Sequence, residues 1–139
     1  MIDLSNKHGF TDLKKRLFKY KENRAKLETK RLKLERLDCK ISPVNSGMPG
    51  ATSVVASKVE RYVLEKDSLE KDIEDLDYEV RAIDIALNLL TKKEYDILEL
   101  RYFEGYKPSE VYNTLHISQR TFWREHNKVL EKIEKVINI

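Results

Sequence analysis

Between Val59 and Leu90 one face of the chain repeats with a regularity that leaves few folds open. Stepping alternately by three and four residues from Val59 meets Tyr62, Lys66, Leu69, Ile73, Leu76, Val80, Ile83, Leu87 and Leu90. Nine of these ten positions are apolar, and a 3.5-residue period held over so long a run specifies a helix whose seam packs on another helix. The partner is close by in sequence. Thr11 is placed to cap a helix through Asp12–Lys40, in which Leu13, Leu17, Tyr20, Leu27 and Leu34 share one face. That is an amphipathic helix of about 28 residues, roughly 42 Å long at 1.5 Å per residue. Arg24 and Arg31 interrupt its stripe, which weakens it as a homomeric coiled coil.

Between the two runs, residues 42–53 (SPVNSGMPGATS) hold two of the three prolines and two of the four glycines. Such a stretch breaks helix, so a flexible linker is expected there. Charge separates along the same lines. Residues 11–41 carry twelve Lys or Arg against five Asp or Glu, whereas residues 53–90 carry five against ten. Opposite charges on the two helices favour an antiparallel hairpin closed by the linker, with homo-oligomerisation through the 55–90 helix as the alternative use of the seam. A solvated helical surface accounts for many of these charges equally well, because an exposed ion pair contributes only ~0–1 kcal/mol.

After Leu90 the pattern breaks into three short segments with their own start and stop signals. Thr91 followed by Glu94 is a capping box, so a helix starts there and buries Tyr95, Leu98 and Tyr102. Gly105 ends it by accepting the left-handed conformation usual just past a helix C-terminus. Pro108 suits the first turn of the next helix, which Ser109, Glu110, Val111 and Leu115 continue. His116 and Ile117 make a tight turn. Ser118 caps a last helix, QRTFWREHNKVLEKIEKVI, with Phe122, His126, Val129 and Ile133 on its inner side. Two helices joined by a turn of about three residues, with a third behind them, predict a helix-turn-helix whose second helix enters the major groove of double-stranded DNA. The fold class expected is therefore all-α, with residues 1–90 as a long helical hairpin or antiparallel coiled coil and residues 91–139 as the DNA-binding domain.

The candidate DNA-binding residues are Ser118, Gln119, Arg120, Thr121, Trp123, Arg124, Asn127 and Lys128. Arg forms a bidentate contact with guanine and Gln or Asn with adenine, while Lys128 is of the type that meets phosphate. Trp123 suits a thymine methyl or the sugar backbone, and an aromatic bracing the helix packing is an equally good reading. Against DNA stands the balance of residues 91–139, nine basic to eight acidic. A DNA-binding face normally neutralises several phosphates, a deficit the basic first helix is able to make up.

The stretch LTKKEYDILELRYFEGYKPSEVYNTLHISQRTFWREHNKVLEKI resembles region 4 of bacterial sigma-70 factors and the helix-turn-helix of small phage-encoded transcriptional regulators of the RinA and ArpU kind. LRYFEG, the S-E-V that follows and I-S-Q-R-T-F carry the likeness, and the preceding hairpin with its Pro- and Gly-bearing linker extends it over most of the chain. The resemblance implies binding to promoter-like DNA and control of late phage genes through contact with host RNA polymerase. It implies Gln119, Arg120, Trp123 and Arg124, after Ser118, as groove-facing positions. Two residues depart from that pattern. Tyr112 stands where Ala is usual at the close approach of the two helices, and His116 stands where Gly is usual in the turn.

Two other classes compete. A helical protein-interaction module explains the heptads as well and the spaced Gln119, Arg120 and Arg124 less well. A phage DNA-packaging recognition subunit also joins a helix-turn-helix to oligomerising helices. Enzymatic activity is not expected: His8, His116 and His126 have no nucleophile or carboxylate at a telling spacing, and no Gly-rich phosphate loop or metal-ligand motif is present. His126 reads as a satisfied packing residue, Cys39 as an inert thiol on a helix, and no cofactor or metal is called for. With no signal-peptide pattern and no run of ~20 apolar residues, the expectation is no membrane contact and a cytoplasmic location, in the host bacterium if the chain is phage-encoded.

Overall fold

The computed structural model describes residues 3–40 and 52–138, with side chains for 10–39 and 57–138. Every regular element among them is helical: α1 (Asp3–Lys40), α2 (Thr52–Leu87), α3 (Lys92–Leu98) running into a π-helical turn (Glu99–Phe103), α4 (Pro108–Thr114) and α5 (Gln119–Ile137). The all-α expectation holds. Two compact units are formed, Met1–Asn23 with Glu79–Ile139 and Arg24–Tyr78.

Three boundaries differ from those read in the sequence. The first helix begins at Asp3 and is 38 residues long, so Thr11 lies in its interior and is no cap. Relative to Ala, Thr costs a helix at most ~0.7 kcal/mol and Gly about 1 kcal/mol, too little for Thr11 and Gly9 to force a break. α2 begins at Thr52, which makes residues 52 and 53 helical; the remainder of the expected linker lies outside the described residues. α2 stops at Leu87, leaving the last heptad residue, Leu90, in the turn that follows.

In the Arg24–Tyr78 unit Leu27 is buried, while Leu34, Tyr62, Leu69, Ile73 and Leu76 are only partly covered and Val59 remains exposed. Ion pairs flank this thin seam. Lys30 meets Asp72 and Arg31 meets Asp77, both at 2.8 Å, and Asp38 accepts from the Tyr62 hydroxyl at 2.7 Å. Lys66, the polar residue of the heptad, donates to the Tyr62 hydroxyl at 3.4 Å and lies 3.7 Å from Asp38. That hydrogen bond and the Asp38 charge hold its ammonium above its ordinary range.

The other unit holds most of the buried core. Phe10, Leu13, Leu17 and Tyr20 of α1 and Val80, Ile83 and Ala86 of α2 are buried, as are Ile97, Leu98, Tyr102, Val111, Phe122, Val129, Leu130 and Ile133. Each such large aliphatic or Phe side chain contributes roughly 1.5–3 kcal/mol when fully buried. Arg16 grips Glu79 with both ends of its guanidinium, Nε to Oε1 at 2.6 Å and Nη2 to Oε2 at 3.1 Å. The Tyr20 hydroxyl donates to Asp84. A half-buried two-point pair of this kind fixes register better than a single exposed contact does. No helix of the described residues is long and apolar enough to cross a membrane.

Candidate nucleic-acid interface

Local chemistry sets each helix end around the candidate site. At α3 the Thr91 hydroxyl accepts from the Glu94 amide at 3.3 Å, and the Glu94 carboxylate accepts from the Thr91 amide at 2.9 Å. This is the reciprocal capping box expected from the sequence. The Thr91 amide, and less strongly Lys132 at 3.1 Å, hold the Glu94 carboxyl below its ordinary range. Beyond Leu98 the chain does not continue as α-helix through Tyr102. Glu99–Phe103 widens into a π turn in which the Glu104 amide reaches Glu99 O at 2.8 Å, and Gly105, at φ 78°, closes it. A wide turn moves the residues after it off the α-helical register, and Tyr102, within the turn, is buried in the core.

α4 opens with Pro108 at its first position, and the Glu110 carboxylate accepts from the Lys107 amide at 2.9 Å. It closes in a Schellman turn. His116 adopts φ 58° and its amide donates to Asn113 O at 3.3 Å, while the Ile117 amide reaches Tyr112 O at 3.0 Å. The apolar contact typical of that motif is present, because Tyr112 and Ile117 both pack on the Ile97, Val111 and Phe122 cluster. Tyr112 therefore fills the close approach of α4 and α5, its ring centroid 6.0 Å from that of Phe122.

α5 follows after Ser118, whose hydroxyl accepts from the Thr121 amide at 3.1 Å and lies 2.8 Å from the Thr121 hydroxyl. Phe122, His126, Val129, Leu130 and Ile133 face inward; Leu130 is an addition to the inner set read from the sequence. Gln119, Arg120, Trp123, Arg124, Asn127 and Lys128 are all exposed; the helical period sets Arg120, Arg124, Asn127 and Lys128 away from the buried row, while Gln119 and Trp123 border it. Thr121 is half-buried and, with Ser118, is engaged in the cap. Arg124 is 3.6 Å from its neighbour Glu125, an exposed pair of little energetic weight. Trp123 is 37% exposed and leans edge-on against Phe122 and His126, at centroid distances of 5.0 and 5.3 Å. It braces the helix and also offers an outer surface.

The arrangement depends on contacts that the sequence did not disclose, and on Phe18 and Arg101, to which it assigned no part. The Tyr102 hydroxyl is 2.7 Å from His126 Nε2, and Phe18 of α1 lies edge-on to the Tyr102 ring at 4.7 Å. Arg101 stacks on both Phe18 and Tyr102, its guanidinium carbon 5.1 and 5.5 Å from their centroids, and donates to Tyr106 O at 3.1 Å. Burial pushes the His126 imidazole down to about 4; the hydrogen bond to Asn127 opposes this and the charges of Lys14 and Arg101 add to it. Burial likewise drives the Tyr102 hydroxyl above its ordinary range. His126 is thus a neutral packing residue. Among the described residues no group of three or more His, Cys, Asp or Glu is arranged to hold a metal ion.

Comparison with known proteins gave one match. No curated protein and no solved structure matches the chain. A family model described as "Protein of unknown function (DUF722)" matches residues 13–135, which takes in α3, the π turn, α4 and nearly all of α5 as well as most of the two long helices. The chain belongs to the DUF722 family.

Proposed function

We propose that this protein is a sequence-specific DNA-binding transcriptional regulator, built as a long antiparallel helical hairpin that carries a helix-turn-helix. One observation carries the reading: α4 and α5 are joined through a tight Schellman turn, and the first turns of α5 present Arg120, Arg124, Asn127 and Lys128 outward together, with Gln119 beside them. These side chains have the donor and acceptor sets that read base edges and phosphates, and they lie where a recognition helix meets the major groove. The resemblance to sigma region 4 and to RinA- and ArpU-type phage regulators extends the proposal to phage promoters and to contact with host RNA polymerase in the bacterial cytoplasm.

The test is an electrophoretic titration of the full chain on DNA from around its own gene cluster, at two salt concentrations, with Arg124→Ala alongside. Sequence-selective shifts that the variant abolishes support the reading. Equal shifts on any DNA, or none, refute it.

A second reading, a protein-interaction or self-associating module, is favoured by the large apolar residues that α2 leaves open in the Arg24–Tyr78 unit. Leu64 is 69% and Tyr78 75% exposed. Light scattering over a concentration series separates the two: a mass that rises with concentration without DNA, together with no selective shift, favours the module. A defined ring-sized oligomer points instead to a DNA-packaging recognition subunit.

A further inference from the structure

We propose that the flank of α1 formed by Lys14, Phe18 and Lys21 is a second DNA contact, which holds the phosphate backbone beside the groove occupied by α5. The proposal rests on the DNA-binding reading of α5. α1 turns Leu13, Leu17 and Tyr20 into the core. Its 3.6-residue period then sets Lys14, Phe18 and Lys21 along the neighbouring flank, one turn apart.

A row of ring contacts leads from that flank to α5. Phe18 meets Tyr102 at 4.7 Å, Tyr102 stacks on His126 at 5.7 Å, and His126 meets Trp123 at 5.3 Å. The two ends of this row of rings are open to solvent, Phe18 at 44% and Trp123 at 37% exposure. Lys14 is half-buried one turn before Phe18. Lys21 is exposed on the far side of Phe18.

Charge points the same way. Residues 91–139 hold nine basic and eight acidic side chains, too even a balance to neutralise a duplex that presents a charge about every 1.7 Å of its axis. Residues 11–23 add five basic against two acidic side chains within the same compact unit. A lysine ammonium is a flexible point charge without the planar fork that reads a base edge, so these residues fit phosphate oxygens and add affinity without sequence information.

The experiment measures binding of the full chain to a mixed-sequence DNA duplex across a salt series, for wild type, Lys14→Gln/Lys21→Gln, Lys14→Arg/Lys21→Arg and Arg120→Ala/Arg124→Ala. Circular dichroism verifies that each variant is folded. The Gln pair should lower the slope of log affinity against log salt by about 0.9 for each phosphate it no longer neutralises, and the Arg pair should restore it. Binding by wild type with an unchanged slope in the Gln pair overturns the α1 contact and leaves the α5 reading standing. No binding by wild type even at low salt overturns the DNA reading itself, and this proposal with it.

Discussion

The Tyr102 hydroxyl and His126 Nε2 are 2.7 Å apart within the core, and they tie the π turn to the middle of α5. His126 Nδ1 is 3.2 Å from Asn127 Oδ1. A neutral imidazole carrying its proton on Nδ1 satisfies both partners, accepting from the phenol and donating to the amide oxygen. This pins the rotation of α5 about its own axis, and so decides which of its residues look outward.

Tyr102→Phe keeps the ring against Phe18 and removes only the hydroxyl, leaving a buried imidazole nitrogen without its donor. A loss of about 1–3 kcal/mol is expected in urea unfolding. Unfolding curves that superimpose on wild type would show that the hydrogen bond contributes nothing to stability.

His126 gives folding a pH dependence of definite sign. Its folded-state pKa is about 4, below the ordinary 6.5, so between these values the unfolded chain binds a proton that the folded chain refuses. This contribution is fully present above about pH 6.5 and is lost as pH falls towards 4, by about 3 kcal/mol in all. An NMR titration of the His126 ring should find it still neutral at the ordinary histidine midpoint; protonation there would mean that the ring is hydrated rather than buried.

The left-handed turn between α4 and α5 tolerates few residues. His116→Val places a β-branched side chain at φ 58° and should destabilise by roughly 1–2 kcal/mol, whereas His116→Gly should fall within about 1 kcal/mol of wild type. Equal thermal midpoints for the Val and Gly variants would show that backbone handedness at this position sets no limit on the side chain.

Arg120→Ala and Arg124→Ala should each weaken binding to a selected cognate duplex by about 1–3 kcal/mol, a loss of roughly 5- to 150-fold, with circular dichroism and melting unchanged because both residues are exposed. If neither variant loses affinity, α5 is not the reading helix.

Helix ends governed by neighbouring residues were legible in the sequence. Thr91 with Glu94, Gly105, Pro108, His116 and Ser118 each act through hydrogen bonds or dihedral limits a few residues long, and each occupies its expected place. The inner and outer sides of α5 were legible for the same reason, since helical period alone separates Phe122 and Val129 from Arg120 and Arg124. Thr11 misled because a hydroxyl residue that caps well is also tolerated inside a helix. The π turn and its purpose were not legible. They depend on Tyr102 meeting a histidine 24 residues away and on Phe18 arriving from α1, meetings that no local pattern encodes.

The Schellman turn and the buried row of α5 position the helix without help from most of its outward side chains. Gln119, Arg120, Arg124 and Lys128 can therefore be exchanged by mutation at little cost to folding, while Trp123 and Asn127 are held in place by His126. On the proposed DNA-reading role of α5, evolutionary drift in target should be concentrated at the former set, so that related chains would diverge in target while keeping one scaffold.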